Sequence, residues 1–119
     1  MPKIHHIAIT TRAPEKLAAF YLDILGLPEI KRHFHEDGTL RSVWLELEYG
    51  AILMIEKQDL PPEEGNGFHL LAFSVTESEK SSWKEKLAKA GVEIYNSTNH
   101  TLYFMDPDGN RIGLSSYKL

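Results

Sequence analysis

His5-His6-Ile7-Ala8-Ile9-Thr10 and His69-Leu70-Leu71-Ala72-Phe73-Ser74 stand 64 positions apart and superpose without a gap. Each is an apolar run of strand length whose β-branched or aromatic residues suit a pleated sheet. At the same offset Glu15-Lys16 falls on Glu79-Lys80 and Glu29-Ile30 on Glu93-Ile94, so the likeness extends through a whole strand-plus-helix unit. Self-similarity at a long fixed period reads as duplication, here two repeats of about sixty residues.

A helix follows each opening strand. Leu17, Phe20, Tyr21 and Ile24 fall at i, i+3, i+4 and i+7 and form one apolar stripe, with Pro14 in the first turn and Gly26 as the stop. In the second repeat Thr76-Glu77-Ser78-Glu79 has the spacing of a capping box, Trp83 and Leu87 lie four apart, and Gly91 ends the run. Strand patterns then return at 30–35, 40–47 and 51–57, with turns at Glu36-Asp37-Gly38 and Tyr49-Gly50. The second half repeats them at 92–96, 101–105 and 111–116, with Asp106-Pro107-Asp108-Gly109-Asn110 as the turn before the last strand. The order is βαβββ, twice. The Pro-, Gly- and acid-rich stretch 59–66 separates modules at about 1–58 and 67–119, and the 119 residues are expected to form a single domain.

Composition removes several function classes. No run approaches the roughly 18 apolar residues of a membrane span, and Met1-Pro2-Lys3-Ile4-His5 lacks the order of a signal peptide, so a cytoplasmic protein without a membrane partner is expected. Thirteen basic residues are scattered among seventeen acidic ones, which gives no stripe for nucleic acid. Cysteine is absent, so disulfides and thiolate chemistry are excluded and any metal must use His, Asp or Glu.

The duplicated order, together with Phe20-Tyr21, Leu25-Gly26 and the Asp106-Pro107-Asp108-Gly109-Asn110 turn, resembles the vicinal-oxygen-chelate superfamily of glyoxalases, bleomycin-resistance proteins and extradiol dioxygenases. The resemblance spans nearly the whole chain. It implies an α+β fold in which two βαβββ modules form a cupped mixed sheet with helices on the outer face, and it implies a homodimer. Metal-dependent members hold one divalent cation with four strand residues, and the cation polarises a substrate with adjacent oxygens. Carried over position by position, the first ligand is His6, which matches. The other three positions hold Met54, Leu70 and Gly113, so the resemblance implies a degenerate site and disfavours a divalent metal.

Strand alternation sends Ile7, Ile9, Leu53, Ile55, Leu71, Phe73, Ile112 and Leu114 towards the helices. His6, Ala8, Met54, Glu56, Leu70, Ala72, Ser74, Gly113 and Ser115 are then left to line the cup, joined by Trp44 and Tyr103. Such a lining, apolar with a few polar groups, suits a small molecule. The expected function is therefore binding of a small, partly apolar ligand through Trp44, Met54, Leu70, Tyr103 and Gly113. The alternative is a lyase, isomerase or dioxygenase that uses His6 and Glu56, either in a displaced metal site completed by His69 or as a metal-free acid–base pair. His33-Phe34-His35 sets two imidazoles on one strand face but reads as an exposed strand end. Asp106 and Asp108 read as turn-shaping residues.

Overall fold

The computed structural model describes residues 4–59 and 70–118. Two compact units, Met1–Glu64 and Gly65–Leu119, divide the chain.

In the first unit, β1 (His6–Thr11), α1 (Pro14–Asp23), β2 (Glu29–Phe34), β3 (Leu40–Glu46) and β4 (Ile52–Lys57) build a four-stranded sheet in the order β1-β4-β3-β2. β1 runs parallel to β4, and the other pairs are antiparallel. Pro14 starts α1 where a missing N–H costs nothing, and the Ala13 N–H just ahead of it donates to Thr11 Oγ1 at 3.1 Å. The helix ends as its glycine suggests: Gly26 takes φ 72° and the Leu27 N–H donates back to the Tyr21 carbonyl at 3.1 Å. Its stripe of Leu17, Ala18, Phe20 and Tyr21 is buried, and α1 packs on β3 and β4. Val43, Leu45, Leu53 and Ile55 are fully buried on these two strands. Between β3 and β4, Tyr49 and Gly50 both adopt positive φ, 59° and 77°, the backbone of a tight hairpin turn.

The second unit contains β5 (Leu71–Ser74), a 3₁₀ turn at Glu77–Glu79, α2 (Lys80–Lys89), β6 (Asn96–Ser97), β7 (Thr101–Met105) and β8 (Arg111–Ser115). Its sheet order, β5-β8-β7-β6 with β5 parallel to β8, repeats that of the first unit. The capping box forms. Glu79 Oε1 accepts from both the Thr76 N–H at 3.1 Å and the Thr76 hydroxyl at 2.6 Å. It caps the 3₁₀ turn that leads into α2. Leu87 is the one buried side chain of α2, and Gly91 at φ 74° stops the helix. Leu102, Phe104, Ile112 and Leu114 are buried on one face of the sheet.

The strand expected at 92–96 shrinks to Asn96–Ser97. The Val92 N–H is taken by the Leu87 carbonyl as the helix closes, and the ladder to β7 begins only with the Tyr95 N–H donating to the Tyr103 carbonyl. The turn before β8 is built by Asp106. Its Oδ1 accepts from the Asp108 and Asn110 N–H groups, each at 2.9 Å, and its Oδ2 accepts from the Asn110 amide at 2.7 Å. Each unit is thus a mixed four-stranded sheet with one α-helix, an α+β fold.

Candidate functional site

Register fixes which side chains share the face of the first sheet turned away from α1. Successive residues alternate, so the buried Val43, Leu45, Leu53 and Ile55 leave Ser42, Trp44, Met54 and Glu56 to the second face. Three cross-strand rows result. His6 pairs with Ile52 and that with Glu46; Ala8 with Met54, Trp44 and Lys31; Thr10 with Glu56, Ser42 and His33.

The rows separate the two residues expected to act together. His6 and Glu56 lie on the same face, but parallel pairing sets His6 opposite Ile52, four residues before Glu56. At a strand rise of about 3.3 Å per residue this is about 13 Å along the sheet, too far for a shared metal or a shared proton. His6 instead sits at the exposed end of β1, with its Nδ1 2.9 Å from Nδ1 of His5. The third member of that displaced triad, His69, lies outside the described residues.

What the sheet does bring together is a cluster of buried polar groups in the other two rows. Ser42 is fully buried, and its Oγ has no hydrogen-bond partner; neither do His33 Nε2 and Trp44 Nε1, both buried. The His33 and Trp44 rings are 4.5 Å apart, and Lys31 Nζ lies 6.0 Å from the Trp44 ring centre. His33 is therefore not part of an exposed strand end; of the two imidazoles only His35 is exposed, next to the exposed Phe34. The cause is irregular pairing. β2 is out of step with β3 between Glu29 and Lys31 and again between His33 and Phe34, which sets His33 directly against Ser42. Alternation from Trp44 alone would have pointed to Ser42, whereas nothing in the sequence marks the two shifts.

On the opposite side of β2, Arg32 donates to Glu29 at 2.9 Å and to Glu15 of α1 at 2.7 Å. The Arg32 hydrogen bond holds the Glu29 carboxyl below its ordinary range. This fastens the edge strand to the helix.

The second unit has equivalent rows. Ala72 pairs with Gly113, Gly113 with Tyr103 and Tyr103 with Asn96, so that Gly113 and Tyr103 occupy the places that Met54 and Trp44 hold in the first unit. Gly113 is covered: a Cβ there would meet Thr101 Cγ2 at 3.3 Å, Ala72 Cβ at 3.5 Å and Leu70 Cδ1 at 3.6 Å. Two of the positions at which the resemblance expects metal ligands thus pack against each other. The Tyr103 ring lies 6.4 Å from that of Tyr95. In the next row the Thr101 hydroxyl donates to Ser115 Oγ at 2.9 Å, and Ser115 Oγ also accepts from the Tyr117 N–H at 3.2 Å. This polar row is satisfied internally, unlike its counterpart at Ser42. Among the described residues no group of three or more His, Cys, Asp or Glu side chains is placed to hold a metal ion, and none forms a helix long and apolar enough to cross a membrane.

Known proteins agree with this architecture. Glutathione transferase FosA from Serratia marcescens is 27% identical over 119 residues, covering 96% of this chain and 80% of that protein. The uncharacterized protein YwkD from Bacillus subtilis is 29% identical over 91% of each chain. Among solved structures, fosfomycin resistance protein FosX from Listeria monocytogenes, in complex with Mn(II) and 1S,2S-dihydroxypropylphosphonic acid, aligns with a TM-score of 0.82 at 22% identity over 100% of this chain and 95% of its own. A glyoxalase/dioxygenase from Nostoc punctiforme aligns with a TM-score of 0.78 at 22% identity, over 94% and 88% of the two chains. The family model of the Glyoxalase/Bleomycin resistance protein/Dioxygenase superfamily matches residues 3–114, and the chain belongs to that superfamily.

Proposed function

We propose that this chain is a small-molecule-binding member of the superfamily whose metal site is degenerate. Its ligand is an organic molecule with an apolar part that packs on Met54 and Trp44, while Leu70, Tyr103 and Gly113 form the equivalent face of the second unit. The observation that carries the reading is the packing around Gly113, where even a Cβ would meet Thr101 Cγ2 at 3.3 Å and would touch Leu70 Cδ1 at 3.6 Å. Methionine at position 54 offers only a weak thioether acceptor, and leucine and glycine offer no side-chain donor atom at all. The residues present therefore do not fit the divalent cation of metal-dependent relatives. We also propose a homodimer in the cytoplasm, in keeping with the resemblance.

Native mass spectrometry of the full chain after gentle purification tests the reading. A retained organic mass, lost in Met54→Lys and Trp44→Ala variants that still fold, is the expected result. A chain that carries no such mass and gains no thermal stability from any member of a diverse small-molecule set would overturn it.

A second reading, a metal-dependent enzyme, is favoured by the match of His6 to the first ligand position and by the likeness to the transferase FosA and to FosX, solved with Mn(II). It requires side chains beyond the described residues, and His6→Ala would then abolish metal binding.

A further inference from the structure

We propose that Ser42, His33 and Trp44 form an anchor for the oxyanion of an organic ligand, a carboxylate or phosphoryl group, on the face of the first sheet turned away from α1. This rests on the reading of that face as a small-molecule site and specifies the polar end of the molecule.

Chemistry sets the sign of the group that fits. The indole N–H of Trp44 donates and cannot accept, so only an acceptor can satisfy it. The Ser42 hydroxyl turns freely to donate, and His33 Nε2 donates in one neutral tautomer and in the charged form. All three atoms are buried and unpartnered, and they lie in two adjacent rows, with the His33 and Trp44 rings 4.5 Å apart. Unpartnered donors in neighbouring rows of a water-poor place favour an acceptor that bears negative charge. Lys31, 6.0 Å from the Trp44 ring centre, adds a cation to the same side. Glu56, opposite Ser42 in the register, is the opposing charge. A ligand that carries a hydroxyl or amine beside its oxyanion would donate to Glu56, so the pair Ser42 and Glu56 selects for a molecule with both features. Glu46, in the row of His6 and Ile52, is one row removed from Trp44 and two residues from it along β3.

Burial of polar groups on this face does not by itself leave them unpaired. In the second unit Thr101, the counterpart of Ser42, donates its hydroxyl to Ser115 at 2.9 Å. Among the described residues only the first sheet leaves such donors buried without a partner, and natural folds seldom leave such groups unmatched without a use.

The test is a titration of the full chain followed through its two indole N–H resonances in proton–nitrogen NMR, assigned with Trp83→Phe. The probes are sodium benzoate, inorganic phosphate and, as a neutral match, benzyl alcohol, all at constant ionic strength. Saturable downfield movement of the Trp44 signal with benzoate or phosphate is expected, with affinity reduced about tenfold by Ser42→Ala, as for loss of a hydrogen bond to a charged group. His33→Phe, which keeps a ring against Trp44, weakens it similarly. A response to benzoate alone identifies a carboxylate source, and one to phosphate alone a phosphoryl source. If benzyl alcohol binds as tightly as benzoate and Ser42→Ala changes neither, the anchor is wrong and the small-molecule site stands. If no probe saturates, the anchor is wrong, and the site is judged by the retained mass alone.

Discussion

Replacing Ser42 by alanine should stabilise the ligand-free protein while it weakens binding. Ser42 is 0% exposed and its hydroxyl has no partner, so folding strips it of water without return. An unsatisfied buried polar group costs about 1–3 kcal/mol. Removing one heavy atom from a packed site leaves a small void that costs about 0.5–1.5 kcal/mol, by comparison with the loss of a single methyl group. The net gain for Ser42→Ala is about 1 kcal/mol. Unfolding entropy near 2.1 cal/mol/K per residue over 119 residues converts this to about 4 °C in melting temperature. Thermal unfolding by far-ultraviolet circular dichroism, in a buffer without carboxylates or phosphate, measures it. Benzoate should then narrow the gap, because wild type gains from the ligand and Ser42→Ala gains less. A variant that melts below wild type in the oxyanion-free buffer would refute the reasoning, since it would show the hydroxyl to be paired in the free protein.

Other consequences are simpler to state. Leu87→Ala removes the buried contact of α2 and should cost about 2–5 kcal/mol in denaturant unfolding. Gly113→Glu, which restores a carboxylate where the resemblance expects a ligand, should destabilise by about 1–3 kcal/mol, because its Cβ meets Thr101 Cγ2 at 3.3 Å; melts of the purified variant check this, and an unchanged melting temperature would show the space to be open. The Glu79 carboxyl is held below its ordinary value of 4.5, chiefly by the Thr76 hydroxyl. Its contribution to stability is therefore complete above 4.5 and is lost as pH falls through the lower folded value. Acid unfolding of Thr76→Ala should show this part of the pH dependence reduced, because only the backbone N–H of residue 76 still donates to Glu79, and a pH dependence identical to wild type would count against the capping box.

Much of the fold is legible in the sequence because it rests on local rules. The 64-residue offset predicts two like units, the glycines at 26 and 91 stop both helices at positive φ, and Asp106 forms its turn with its own side chain. Where sequence pattern and structure differ, pairing between strands is the cause. The strand expected at 92–96 is shortened because a helix cap takes the Val92 N–H. His6 and Glu56 share a face but not a row, since alternation gives the side of a sheet and says nothing of the parallel register that puts His6 beside Ile52. His33 joins Ser42 only through two irregularities in β2, which carry no glycine or proline to mark them. Trp44, Met54, Tyr103 and Gly113 were reachable from alternation, and the structure sets each in the cross-strand row of its own unit.

The claim of a degenerate metal site meets its most direct test in the metal content of the full chain, purified from cells supplied with manganese, zinc and nickel and measured by elemental analysis against protein concentration. Far less than one ion per chain and a melting temperature unmoved by chelator are expected. One bound ion per chain, removed by chelator with loss of stability and absent from His6→Ala, would contradict the claim.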